Sequence, residues 1–312
     1  MTYLGYTPAG DEINLGAPLS VILNREEDAP ADDFTGLFPV ICPLSLPPIT
    51  VIRVFSDDSL IFYGIVDEQT VQTASGGSTV KLAARSRAAF LLDNEALPQT
   101  YVHPSLKTIF ERHAAPYGFT GCLGTPGAYS GEMTVTKGMS EWQVIADFCA
   151  YFLGTVPKIT PDGILDASGE QPKESFRFSN MGQGIPYLSL CMCSKYHALI
   201  SEIYAKTGRT GEYALKNADE KSTSLGVMRK RYLNAAKSGN AYFNSKQMMK
   251  AAHRKFQEMV LVCPGAVSAE LGAPAAAEDC VCGLLDGMSI AKLSYTLNNA
   301  GEFTRITLRR DD

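Results

Sequence analysis

Histidine is scarce: only His103, His113, His197 and His253 occur in the 312 residues. None accompanies a Gly-x-Ser-x-Gly elbow or a His-Glu-x-x-His helix, the settings in which spacing alone points to a nucleophile or a catalytic zinc. Each reads as an ordinary surface or partly buried imidazole. A phosphate cradle is also missing. Gly76-Gly77 is followed by neither a helix nor a Lys-Ser/Thr pair and reads as a hairpin turn. Neighbouring carboxylates occur at Asp57-Asp58, Asp32-Asp33 and Asp93/Glu95. The first two lie in turns, where Asp is favoured because its side chain bonds the local backbone. A glycosidase needs carboxylates facing one another across a cleft, which neighbours on one turn do not supply. No apolar run approaches the roughly 20 residues that span a bilayer. Met1-Thr2-Tyr3-Leu4-Gly5 lacks the basic and apolar regions of a secretory signal, which predicts a protein made and folded in a cytoplasm.

Eight cysteines are present, and zinc-like spacing is not. Cys191-x-Cys193 and Cys280-x-Cys282 are closer than the two to four intervening residues usual between paired zinc ligands. Both pairs fall in strand-like runs, where alternate residues share a face. Together with the scattered Cys42, Cys122, Cys149 and Cys263, they read as reduced, small apolar residues. A metal-binding module using the two pairs is the alternative. The net charge of −5 argues against a general nucleic-acid binder.

What is present is strand material. From Ile49 to Gln99, three apolar runs, Val51–Phe55, Leu60–Val66 and Val80–Ala84, lie between the turns Ser56-Asp57-Asp58-Ser59 and Ser75-Gly76-Gly77-Ser78. β-Branched and aromatic runs bounded by Asp, Ser and Gly predict consecutive antiparallel strands. Leu19–Asn24 and Phe34–Pro39 predict a hairpin around an acidic turn. Residues 1–99 therefore read as a β unit, a barrel or sandwich by spacing.

After Pro98 the period changes. Leu106, Ile109, Phe110 and His113 sit at helical spacing behind Pro104-Ser105, and Trp142, Ile145, Ala146, Phe148, Cys149 and Phe152 form a second stripe. Ser140 is the expected N-cap of that second helix and Gly154 its C-cap. With the short strand Glu132–Lys137 and a hairpin up to Ala167, residues 100–172 read as a small α+β unit. Residues 173–312 return to strands, with one helix over Ser245–Glu258, a loop over Gly265–Glu278 and turns at Asp286-Gly287 and Asn298–Gly301.

Residues 206–255 stand apart: 12 Lys or Arg against three acids give +9, so the rest of the chain carries −14. Such a segment is either a solvated face or an electropositive surface for an acidic partner or passing nucleic acid. Arg229, Lys230 and Arg231 are the candidate interface residues.

The blocks Gly64-Ile65-Val66-Asp67, Gly76-Gly77-Ser78-Thr79-Val80-Lys81-Leu82 and Arg85-Ser86-Arg87-Ala88-Ala89-Phe90-Leu91-Leu92-Asp93-Asn94-Glu95-Ala96 resemble the baseplate hub proteins of contractile phage tails and tail-like bacteriocins, the Mu-like tail and late control D-like family. Leu19–Phe38 is similar to the first hairpin of that family, and Ile290–Leu308 to its last. The resemblance implies a mainly β fold with an α+β insertion, as two tube-like β-barrel domains around a small α+β domain. It implies a homotrimeric ring adapting the six-fold tail tube to the three-fold spike. The implied partners are tube, spike, tape-measure and other baseplate proteins, with no membrane insertion, no catalytic residue, no cofactor and no metal. Assembly in the bacterial cytoplasm into a virion or tail-like particle follows from the same resemblance. Some hubs carry fused hydrolases; here the chain stops at Asp312, just after the last expected strand. A tail-associated cell-wall hydrolase is the alternative function.

Overall fold

The computed structural model of the chain describes residues 1–41, 46–206, 212–233 and 241–310. The strands β1 (Thr2–Tyr6), β2 (Glu12–Asn14), β3 (Ser20–Glu26), β4 (Asp33–Val40), β5 (Val51–Ser56), β6 (Ser59–Ala74) and β7 (Gly77–Ser86) come first. Next come α1 (Ala89–Asp93), β8 (Gln99–Val102), α2 (Leu106–His113), β9 (Gly121–Leu123), β10 (Glu132–Val135), α3 (Glu141–Phe148), β11 (Lys158–Ile159) and β12 (Ile164–Asp166). The remainder holds β13 (Phe176–Ser179), β14 (Ser189–Ser194), β15 (Glu202–Ala205), β16 (Leu215–Ala218), α4 (Glu220–Ser224), β17 (Lys230–Leu233) and α5 (Ala241–Arg254). The chain closes with β18 (Gln257–Pro264), β19 (Pro274–Asp279), β20 (Gly283–Asn298) and β21 (Gly301–Arg310).

The fold is mainly β with a small helical insertion. The two expected barrels are not closed. Thirteen strands instead form one sheet in the order β14-β18-β21-β20-β3-β4-β7-β6-β5-β1-β2, with β13 and β19 branching from β20. The join is β20 against β3, where Lys292 to Leu297 run antiparallel to Glu26 to Val21. Strands distant in sequence, with Lys292 opposite Glu26 and Leu297 opposite Val21, thus share one ladder, and Tyr295 of β20 packs in the core of the N-terminal strands.

Alternation does what period two requires. In β4, Phe34, Gly36 and Phe38 face inward, and Tyr3, Ile52, Val54, Phe62, Val80 and Leu82 complete that core. The Phe34 and Phe62 rings stack at 5.6 Å. A Cβ on Gly36 would lie 2.6 Å from the Phe38 ring and one on Gly64 2.3 Å from the Phe62 ring, so the aromatic side chains occupy the space these glycines leave open. The β5–β6 turn is made by Asp57 and Asp58 with φ of 45° and 67°; Asp tolerates this left-handed backbone better than most residues.

The two longest strands each carry a bulge. At β6 the register shifts between Val66 and Glu68, leaving Asp67 outside the ladder to receive Arg85 Nε at 2.7 Å. At β20 the shift between Ile290 and Lys292 frees the Ala291 carbonyl, which accepts the Glu27 amide at 3.0 Å. Asp286-Gly287, expected as a turn, lies within β20 instead; the turn that reverses the chain is Asp279 to Gly283, and the expected loop over Gly265–Glu278 contains β19. The first 18 residues, which show no clear period, supply β1, paired with β5 along its whole length.

The helical insertion has its own core. Leu106, Ile109, Trp142, Val144, Ile145 and Phe148 pack with Leu91, Met133, Val135 and Leu165. Ser105 Oγ accepts the Thr108 amide and Ser140 Oγ the Gln143 amide, so both helices start at side-chain caps, the second as the sequence predicts. Gly154, with φ of 69°, ends the turn that follows α3.

Candidate assembly surface

Most of the basic segment builds a three-stranded sheet and the helix beneath it. β15 pairs antiparallel with β16 and parallel with β17, setting Glu202 opposite Lys230 and Tyr204 opposite Tyr232. Alternation then places Ile203 on the inner face, where it packs with Ile200, Leu233, Met249 and Ala252 of α5. On the outer face, Lys216 Nζ and Lys230 Nζ reach the Glu202 carboxylate at 2.6 and 3.0 Å. Hydrogen bonds from these two ammonium groups hold the Glu202 carboxyl down at about 2. Tyr204 and Tyr232 stack at 5.5 Å, Tyr213 meets Tyr232 edge-on, and Lys206 Nζ stands 4.9 Å from the Tyr213 ring centre.

The three candidate interface residues therefore have separate surroundings. Arg229 is half-buried and donates Nη1 to the Leu199 carbonyl at 3.1 Å. Lys230 is exposed and paired with Glu202. Arg231 is exposed and falls on the opposite face of β17 from Lys230, as strand alternation dictates. Part of the segment, residues 207–211 and 234–240, lies outside the described residues.

The acidic turn after β3 and the basic end of α5, read separately in the sequence, meet in space. Arg309 at the end of β21 is buried and donates to Glu27 at 2.9 Å, to Asp28 at 2.7 Å and twice to Glu258 Oε1, at 3.0 and 2.9 Å. Arg254 reaches Glu27 and the Ser289 hydroxyl, Lys255 reaches Asp28 at 3.1 Å, Lys292 reaches Glu26, and Lys195 bonds Glu258. Burial pushes the Glu258 carboxyl up, but Lys195 and Arg309 outweigh it and hold it below the usual carboxylate range. Asp28 is lowered in the same way, by Arg309 and Lys255 against its burial. The network thus uses part of the +9 segment to brace the N-terminal hairpin against the C-terminal strands. The opposite charge of the two segments was the only sequence signal for it.

Two of the histidines and several carboxylates also brace. His113 is buried, with Nδ1 2.5 Å from Glu141 and Nε2 2.8 Å from the Tyr101 hydroxyl, while Tyr117 donates to the other Glu141 oxygen at 3.0 Å. His253 Nε2 lies 2.7 Å from Asp219, whose carboxyl also caps α4. His103 and His197 are exposed. Asp32 pairs with Arg25, and Asp93 shares Arg85 with Asp67, so these carboxylates hold neighbouring strands and loops.

The cysteines divide. Cys149 and Cys263 are buried, as small apolar residues, and burial pushes their thiols up to about 12 and 11. Cys191, Cys193, Cys280 and Cys282 are exposed instead, and the second pair sits in a turn rather than a strand, its Asp279 accepting the Cys282 amide at 3.2 Å. Among the described residues no three His, Cys, Asp or Glu side chains group as metal ligands, and no helix is long and apolar enough to cross a membrane. Cys42 lies outside the described residues.

One continuous sheet and an inserted helical unit define a fold, and that fold is the one seen in phage and prophage tail proteins. A tail protein from Neisseria meningitidis superimposes with a TM-score of 0.78 at 17% identity, over 100% of this chain and 97% of that one. The 43 kDa tail protein of prophage MuSo2 from Shewanella oneidensis gives 0.79 at 13% identity, over 99% and 98%. A type VI secretion system component of Escherichia coli, described as similar to bacteriophage T4 tail proteins, gives 0.58 at 8% identity, over 93% and 73%. No protein-family model and no curated protein sequence matches the chain.

Proposed function

We propose that this chain is a structural baseplate hub protein of a contractile tail or tail-like particle. Three copies form a ring that joins the six-fold tail tube to the three-fold spike, and the protein performs no catalysis. The observation that carries this reading is the end-to-end likeness to tail proteins, which covers nearly the whole of both chains in the Neisseria meningitidis and prophage MuSo2 structures. The charge network around Arg309 supports it. A rigid link between the N-terminal and C-terminal strands suits a part that transmits load. Residues 1–99, 100–172 and 173–312 act as the first β unit, the small α+β unit and the second β unit, and tube, spike, tape-measure and other baseplate proteins are the partners. Arg229, Lys230 and Arg231 contribute to an interface with an acidic neighbour or to the lumen of the ring. Assembly takes place in the bacterial cytoplasm, and the finished protein resides in the particle.

The test is solution mass by light scattering coupled to size exclusion, at two salt concentrations, with and without spike and tube proteins. The expected species is three times the 33.7 kDa chain mass. A monomer under every condition, including the mixtures, overturns the ring. Charge reversal of Arg229, Lys230 and Arg231 is expected to impair particle assembly, and unchanged assembly removes these residues from the interface.

A further inference from the structure

The two margins of the thirteen-stranded sheet are unlike. One is β2, three residues long and carrying Glu12. The other is β14, whose six residues, Ser189 to Ser194, pair with Val262 to Gln257 of β18. Among the described residues no strand lies on its other side. The β14 sequence, Ser-Leu-Cys-Met-Cys-Ser, contains no charge and no proline, and five of its six residues are exposed. Met192 is 43% exposed, and Leu188 just before the strand is 62% exposed. Folded proteins ordinarily protect a free edge with lysine, proline, a bulge or brevity, because its unpaired amides and carbonyls template another strand. Six residues is an ordinary strand length, so β14 presents a full pairing edge.

A second feature lies at the end of the same strand. Ser194 and Tyr196 border a cleft of about 390 Å³ between the sheet and the helices α4 and α5. Lys221, His253 and Arg310 line it, and no Asp or Glu side chain does. Hydroxyls at Ser194 and Tyr196 add donors, and Phe256, edge-on to Tyr196 at 5.3 Å, supplies an apolar wall. A guanidinium with five N–H donors and an ammonium with three can take up a carboxylate beside their other contacts.

We propose that β14 takes up an extended, β-prone strand of a partner protein, and that this strand carries a carboxylate seated in the cleft by Lys221 and Arg310, since His253 is already bonded to Asp219. Main-chain hydrogen bonds along β14 supply the adhesion, as in other strand-addition complexes, and the cleft fixes direction and register. Neither the free edge nor the charge of the cleft depends on the chain being a hub.

The test uses the full chain and two fluorescent peptides of about eight residues, alternating threonine and valine, one ending in two glutamates and the other in two lysines. Binding is read by fluorescence anisotropy, and the amides of β14 by hydrogen exchange. The glutamate peptide is expected to bind about tenfold or more tightly than the lysine peptide, with slowed exchange at 189–194. Met192→Lys is expected to abolish binding of both peptides, and Lys221→Glu to remove the preference for glutamate. Both positions are exposed, so circular dichroism of the variants is expected to match the parent. Lys221→Glu keeps the test readable should the edge variant fail to fold. Equal binding of the two peptides overturns the role of the cleft. Absence of binding by either peptide up to about 1 mM overturns the edge. Self-association of the unliganded chain that Met192→Lys abolishes assigns β14 to a second copy and overturns the separate partner.

Discussion

Replacing Arg309 by methionine tests the brace between the two ends of the chain. The arginine is buried at the end of β21 and donates to Glu27, Asp28 and Glu258. Glu27 and Asp28 keep Arg254 and Lys255, and Glu258 keeps Lys195, after the substitution. Glu258 loses most, because its side chain is only 10% exposed and two of its bonds come from Arg309. Removing one member of a buried ion pair costs about 3–5 kcal/mol, and the surviving lysine places the expected value near the lower end, about 3 kcal/mol. The double variant Arg309→Met/Glu258→Met removes the half-paired Glu258 charge as well and leaves Lys195, whose side chain is 35% exposed, to water. It is expected to recover about 1–2 kcal/mol, since an apolar replacement of a buried pair is often neutral or better. The assay is urea unfolding, followed by far-ultraviolet circular dichroism for the strands and by fluorescence of Trp142, the single tryptophan, for the helical unit. A loss under about 1 kcal/mol for Arg309→Met, or a double variant less stable than the single by the full cost of the glutamate, refutes the reasoning.

Gly64→Ala sets a methyl group against the Phe62 ring and is expected to destabilise by about 1–3 kcal/mol in the same denaturant assay, whereas an exposed glycine such as Gly76, with nothing near its would-be Cβ, tolerates alanine. Ser140→Ala removes the α3 cap and is expected to cost about 1 kcal/mol, with Trp142 fluorescence reporting the loss. The acid side of the stability profile follows from Glu258 and Asp28. Their folded carboxyls titrate below the ordinary values of 4.5 and 3.8. Their contribution is therefore complete above those values and is lost as pH falls through the lower folded ones. Thermal midpoints measured from pH 6 to pH 2 are expected to fall steeply below about 4.5, and Glu258→Gln to flatten that fall.

The local rules were legible in the residues themselves. Alternation in Val51–Phe55 and Val80–Ala84, the Asp57-Asp58 turn, the Ser140 cap and the Gly154 terminator each act within a few residues, and each forms where the spacing predicts. β1 escaped because Met1–Pro18 is punctuated by glycine and proline, and its strand is held by pairing with β5 rather than by its own pattern. β19 escaped because Pro274-Ala275-Ala276-Ala277 lacks β-branched residues, so its strand character comes from β13 and β20 on either side. The Asp286-Gly287 pair carries a turn signal that the long ladder of β20 overrides.

The sequence by itself determined the class of this protein: a mainly β chain with a helical insertion, and no spacing that points to a nucleophile, a phosphate loop or a zinc site. Those features depend on period, turn chemistry and motif spacing, which are properties of neighbouring residues. Tertiary structure alone decided that β3 and β20 share a ladder, so that one open sheet replaces two closed barrels. It also decided that the acidic turn Glu26-Glu27-Asp28 surrounds Arg309, and that Lys216 and Lys230 go to Glu202 while Lys255 goes to that turn. Pairing register and ion pairing across hundreds of residues depend on which surfaces meet once the cores have packed. A charge read along the chain therefore says how much there is to neutralise, and only the folded chain says which residue does it.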